Sequence, residues 1–230
     1  QGDPFAAPSA LRIFVPHSKA KFPERYYWDK CSKVALQDAL LRRFAEISAK
    51  FCYQAKGSGK SGVIQVSHCG QEVLERTACE ITKEGIHIRF FVGFPANGRT
   101  INSGELEKIL FVYLPKCVEM SLYHRKVPER ETEQVICLKE DQRVIREELK
   151  KRGLIAFVAN GSILPRQSGN SDLPMKDAVP FQSPKSMEIT IQLRHRGSIT
   201  GMGIRKGITL IAGGGYHGKS TLLEALEKGV

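Results

Sequence analysis

Residues Gly213 to Ser220 read G-G-G-Y-H-G-K-S and fill every fixed position of the pattern G-x-x-x-x-G-K-[S/T], through Gly213, Gly218, Lys219 and Ser220. Each residue type has a chemical reason to be there. Glycines let the backbone take positive φ and aim successive N–H groups at phosphate oxygens. A helix starting here adds the positive end of its dipole. The Lys219 ammonium neutralises β- and γ-phosphate charge, the Ser220 hydroxyl coordinates Mg²⁺, and Thr221 supports the α-phosphate. The predicted nucleotide site is Gly213, Gly214, Gly215, Tyr216, His217, Gly218, Lys219, Ser220 and Thr221, with ATP and Mg²⁺ as cofactors. His217 occupies a variable position and is expected to shape the turn rather than act as a base. The alternative is a glycine-rich turn that carries Lys-Ser by chance.

A phosphate loop needs a strand before it and a helix after it. Ile208 to Ala212 supplies an apolar run, read as a buried strand, and Leu222, Leu223 and Leu226 give the following helix an apolar face. Ahead of these, Met187–Leu193 and Ser198–Ile204 read as an antiparallel pair, with Lys206-Gly207 turning into the next strand. A small-molecule kinase also uses this loop. The antiparallel pair disfavours it, because such kinases begin with the loop near the N-terminus.

Further upstream, Asn160 to Pro184 contains Pro165, Gly169, Pro174, Pro180 and Pro184, and reads as a long loop holding a domain boundary. Leu154–Ala159 reads as a buried strand. Thr132–Arg152 is a charged helix with Gly153 in the left-handed cap position. Ser103 is expected to cap a helix to about Val112 that Pro115 closes. Ala78–Ile81 and Ile86–Phe94 form a predicted hairpin turning at Glu84-Gly85, and Ile86, Ile88, Phe90, Val92 and Phe94 alternate to give one buried face. In Lys33–Phe51, Leu36, Leu40, Phe44, Ile47 and Phe51 recur at helical spacing, with Ser32 as N-cap. Leu11–Val15 is a short strand.

A second loop, G-S-G-K-S-G at 57–62, contains G-K-S but has Gln54 where the first glycine of a phosphate loop belongs. It also follows a helix and precedes the strand Val63–Val66. It reads either as a surface turn or as an anion nest built on Lys60 and backbone amides. Arg99, after the Asn97-Gly98 turn, and Arg166 each read as turn arginines within reach of a phosphate. Tyr26, Tyr27 and Trp28 lie among basic residues and read as base-stacking or as core. Glu140-Asp141, on a charged helix, reads as a solvated pair.

The 230-residue chain carries 35 Lys and Arg against 24 Asp and Glu, a net charge of +11. Residues 1–60 hold 11 basic and 5 acidic groups, the largest local surplus. A polyanionic partner, nucleic acid or nucleotide phosphate, is one reading, and a solvated basic surface is the other. At 41% apolar and 26% charged the composition excludes a wholly disordered chain. No apolar run exceeds six residues, so no helical membrane span is expected. The six cysteines, Cys31, Cys52, Cys69, Cys79, Cys117 and Cys137, are at least ten residues apart, show no zinc spacing and read as free thiols.

Several unlinked strings in order resemble the predicted ATPases of the ABC class. These are Q-G-D-P-F-A-A-P-S at 1–9, G-S-G-K-S-G at 57–62, F-P-A-N-G-R-T-I at 94–101, L-I-A-F-V-A-N-G-S-I-L-P-R-Q-S-G-N-S-D-L-P-M at 154–175 and G-G-G-Y-H-G-K-S-T-L-L at 213–223. The family includes a trypanosome mitochondrial RNA-editing accessory protein. The resemblance implies an α+β N-terminal domain, placed at 1–175, ahead of the start of an α/β P-loop ATPase domain at 176–230. It implies an ATPase whose Walker B strand, signature motif and catalytic acid lie beyond Val230, so that residues 1–230 alone are expected not to hydrolyse ATP. It implies RNA as a partner, and the basic surplus of residues 1–60 then makes Lys19, Lys21, Arg25, Lys56 and Lys60 the predicted contacts. A homodimer or larger RNA-processing complex is the expected assembly. The location is mitochondrial if the trypanosome likeness holds and cytoplasmic otherwise. The alternative function is a nucleic-acid-binding module whose nucleotide site is structural or degenerate.

Overall fold

The computed structural model describes residues 3–229. The chain divides into two compact units, Gln1–Cys69 with Val73–Ile136, and Gly70–Glu72 with Cys137–Val230. The division falls inside a long helix, ahead of the 175/176 position expected from the sequence.

The first unit is an antiparallel sheet covered on one face by helices. Strand β1 (Ser9–Pro16) runs into the short helix α1 (His17–Ala20), then helix α2 (Lys30–Ala49). Strands β2 (Ile64–Gln65), β3 (Cys79–Ile81) and β4 (Gly85–Val92) follow. β4 is the spine: β1 pairs along one side of it, and β2 and β3 share the other. The strict alternation in β4 buries Ile86, Ile88, Phe90 and Val92. Register sets Leu11 opposite Phe90, Ile13 opposite Ile88 and Val15 opposite Ile86 on the same face. α2 lays Leu36, Leu40, Leu41, Phe44 and Ile47 into this core, where the Phe44 and Phe90 rings meet at 5.3 Å. Its cap is Asp29, whose carboxylate accepts from the Ser32 N–H at 2.9 Å, not Ser32 itself. The carboxylate satisfies an amide that would otherwise be orphaned and carries charge favourable at that end.

Strands β5 (Ala96–Asn97) and β6 (Thr100–Ile101) make a tight hairpin around Gly98, which takes φ +60°. Helix α3 (Ser103–Lys108) is capped by Asn102 rather than Ser103. Pro115 does not close the helix. A π turn at Ile109–Tyr113 leads directly into helix α4 (Leu114–Leu122), with Pro115 in its first turn. Proline has no N–H and crowds the preceding turn, and the wider turn absorbs both.

Helix α5 (Glu129–Lys151) has Glu129 and Glu131 in its first turn and Lys150 and Lys151 in its last, matching the helix dipole. Gly153 ends it at φ +63°. In the second unit β7 (Leu154–Ala159), β8 (Glu188–Gln192) and β9 (Ser198–Arg205) form an antiparallel sheet in the order β7-β9-β8. The long segment between β7 and β8 is closed at its base by Gly161 and Phe181 N–H groups donating to Phe181 and Ser162 carbonyls. Glu188 accepts from Ser183 Oγ at 2.7 Å and Asn160 Nδ2 at 3.1 Å, and these donors hold its carboxyl below the usual carboxylate range.

The strand expected at 208–212 is not formed. These residues make no backbone hydrogen bond among the described residues, and Leu210 is 88% exposed. A strand needs a ladder partner, and none of the described strands lies beside this one. All six cysteines are free thiols. Among the described residues no helix is long and apolar enough to cross a membrane, and no group of three His, Cys, Asp or Glu side chains is placed to hold a metal.

Candidate functional site

Helix α6 (Lys219–Lys228) begins where the motif requires. Its cap, Gly218, sits in the left-handed region at φ +75° and carries no capping side chain. The Leu222 N–H closes the first turn on Gly218 O at 2.9 Å. The N–H groups of Lys219, Ser220 and Thr221 have no protein acceptor among the described residues, so the helix start is open to an anion. Leu222 and Leu226 pack against Val158, Met202 and Ile204, which seats the helix on the second unit's sheet.

The loop before it is shaped by its own side chains. His217 Nδ1 accepts from the Gly214 N–H at 3.2 Å, the turn-shaping part expected of it. Tyr216 takes φ +61° and its ring is fully exposed. Lys219 folds back so that Nζ donates to Gly213 O at 2.8 Å and to Gly214 O. The ammonium is thus parked over the loop mouth. A Cβ on Gly215 or Gly218 would meet nothing within 4 Å, whereas one on Gly214 would press the His217 ring at 3.0 Å. An uncapped helix start, positive-φ loop residues and a lysine over the mouth fit a nucleotide triphosphate. Ser220 is exposed at the second helical position. Among the described residues no acid or amide side chain hydrogen-bonds to the loop.

Residues 1–125 match the family described as ATPase of the ABC class N-terminal, and residues 128–230 match the P-loop domain of the same ATPases. The chain belongs to the ABC-class ATPase family. This accords with the expected α+β domain followed by the start of a P-loop domain. The chain also matches an uncharacterized protein of Methanocaldococcus jannaschii, at 33% identity over 101 residues. That match covers 39% of this chain and 22% of that protein, so the chain spans a fraction of the relative's length.

Three of the strings that carry the family likeness meet in the first unit of this ABC-class ATPase. The Lys60 N–H donates to Pro4 O and the Ser58 N–H to Ala96 O, both at 2.8 Å, and the Gly98 N–H reaches Ser58 Oγ at 3.3 Å. Ser61 Oγ, buried, accepts from the Ala96 N–H at 3.1 Å. With the Ser61 and Gly62 N–H groups donating to Ser58 O and Gly93 O, the amides of residues 58, 60, 61 and 62 that an anion nest would have used are all taken. The glycines serve close packing: a Cβ on Gly57 would meet Ser61 Oγ at 2.4 Å and one on Gly59 would meet Pro4 O at 2.7 Å. Lys60 and Arg99 keep exposed side chains at this junction.

The predicted RNA contacts separate. Lys19 and Lys21 are exposed around the end of α1, and Lys56 and Lys60 on the 56–62 loop. Arg25 is instead ion-paired with Glu133 at 2.8 Å and Glu129 at 3.4 Å. Tyr26 is core, Tyr27 stacks on His17 at 4.7 Å, and Trp28 stays 75% exposed. Arg166 is tied to Ile163 O and Gln71. Glu140-Asp141 is not a solvated pair. Asp141 is 2% exposed and accepts from the Arg194 and His195 N–H groups, while Glu140 holds the His195 ring at 2.6 Å. The charged-helix pattern hid this, because the carboxylates are buried by the tip of the β8–β9 hairpin.

Proposed function

We propose that this ABC-class ATPase binds ATP with Mg²⁺ at Gly213–Thr221 and couples that binding to RNA. The observation that carries the nucleotide reading is the uncapped start of α6 behind a loop that places Lys219 Nζ over its mouth. Mg²⁺, which the Ser220 hydroxyl would help hold, would offset phosphate charge. The chain's own residues bind and orient: backbone amides of 218–221 take phosphate oxygens, Lys219 exchanges its carbonyl partners for phosphate, and Ser220 offers its hydroxyl. Orientation of an attacking water needs a further acid or amide at the loop. The 230 residues are therefore expected to bind ATP without steady turnover, and phosphate release above background by the purified chain would refute this.

The RNA reading rests on the family resemblance and on the basic surplus of residues 1–60, with Lys19, Lys21, Lys56 and Lys60 exposed. Phosphate contacts release counterions, so affinity for oligo-U should fall with salt at a slope of about −0.7 per neutralised phosphate. Filter binding with these four lysines changed to alanine tests it. A shallower slope and weaker binding are expected, and unchanged binding would remove these lysines from the RNA surface.

A further inference from the structure

The second face of the first unit's sheet is not covered by helices. On it, register places Phe14 of β1 opposite His87 of β4, Arg12 opposite Arg89, and Ala10 opposite Phe91. The solvent face of an open antiparallel sheet ordinarily alternates to polar residues. Here Phe14 is 44% exposed and Phe91 48%. The Phe14 and His87 rings stack on each other at 4.7 Å with a 27° tilt, which fixes the exposed Phe14 ring in place on this face. Phe91 lies four residues along β4 from His87, about 13 Å at the usual rise of a strand. The acid on this face, Glu80, is neutralised by Arg89 at 2.5 Å. Arg12 is exposed with no acceptor among the described residues. At the Phe14 end, the His17 N–H donates to Glu84 O at 3.2 Å, which fixes α1 and its exposed Lys19 beside the sheet.

From this face we infer a docking surface for single-stranded RNA. Two exposed aromatic rings on adjacent strands, Phe14 and Phe91, with arginines between them and Lys19 beside them, match what a sheet needs to stack two unpaired bases while holding their phosphates. The inference rests on the RNA reading above and assigns it a place. A protein partner would call for a continuous apolar patch; here arginines interrupt the aromatic positions, and the charge complements a polyanion.

The test is titration of the whole chain into fluorescein-labelled 12-mer oligo-U at two salt concentrations. Phe14→Ala/Phe91→Ala should weaken binding by about tenfold or more at fixed salt with the salt slope unchanged, since stacking is not ionic. Phe14→Tyr/Phe91→Tyr should stay within about twofold, because it keeps both rings. Arg12→Gln should flatten the slope by about 0.7. Circular dichroism checks that the variants fold. Equal binding by the double alanine variant overturns the inference and leaves the RNA reading standing. Equal losses in the alanine and tyrosine variants refute stacking. A wild-type chain that ignores oligo-U refutes both readings. A dimer abolished by the alanine pair with RNA binding intact assigns the face to a second copy and overturns the proposal.

Discussion

Replacing Lys219 by alanine removes a charge from a loop that is otherwise exposed backbone. In the structure Nζ spends its hydrogen bonds on Gly213 O at 2.8 Å and on Gly214 O. Bound nucleotide replaces these neutral acceptors with ionised phosphate oxygens, and a hydrogen bond to a charged group is worth about 1.5–3 kcal/mol net. That corresponds to about a 10- to 150-fold loss of affinity for ATP–Mg²⁺. The cost to folding should be small, because surface substitutions away from packed features stay within about 0.5 kcal/mol. Isothermal titration gives the affinity, and a thermal melt of the unliganded chain gives the stability. Lys219→Arg keeps the charge and should recover part of the loss. Unchanged nucleotide affinity in Lys219→Ala would refute the reasoning. A large drop in melting temperature without nucleotide would show that the lysine's carbonyl bonds hold the loop together rather than wait for phosphate.

Asp141→Ala should destabilise the second unit by about 1–3 kcal/mol in urea melts, because two backbone N–H groups, of Arg194 and His195, lose their acceptor in a buried place. Glu188 is held below its usual range by Ser183 and Asn160, so its contribution is present above the unfolded value and lost as pH falls through the folded one. Wild type and Glu188→Gln should therefore differ in melting temperature at pH 7, and the difference should shrink as pH is taken below the ordinary glutamate range. Burial pushes the Cys117 thiol up to about 11 and the Cys79 thiol higher still, so both should resist iodoacetamide at pH 8 until denaturant is added, as read by peptide mass spectrometry.

Local patterns that depend on one element were legible in the sequence. The alternation of Ile86 to Val92 fixed the buried face of β4, and Gly153 marked the end of α5. The phosphate loop was legible because its chemistry is local: glycines, lysine and hydroxyl lie within nine residues. What failed depends on distant partners. Ser32 is as good a cap residue as Asp29, and only the turn entering α2 decides between them. Asp141 is surface-like until the β8–β9 hairpin folds over it. The alternation in β4 marks its buried face, while His87, Arg89 and Phe91 on the other face gain their meaning only from the residues of β1 set beside them.

The stretch Ile208–Ala212, unpaired among the described residues, runs directly into the phosphate loop at Gly213. Its backbone makes no hydrogen bond among the described residues, and Ile208, Leu210 and Ile211 are exposed. Any strand that paired with it would fix the position of Gly213 and so lower the ordering cost of binding nucleotide there. Reciprocity then requires that nucleotide strengthen the zipping by the same factor. Until that happens the segment is adhesive in either register, since an open apolar edge accepts whichever strand arrives first. Where that strand comes from a second copy, ATP should therefore favour association, lowering the concentration at which the chain remains monodisperse.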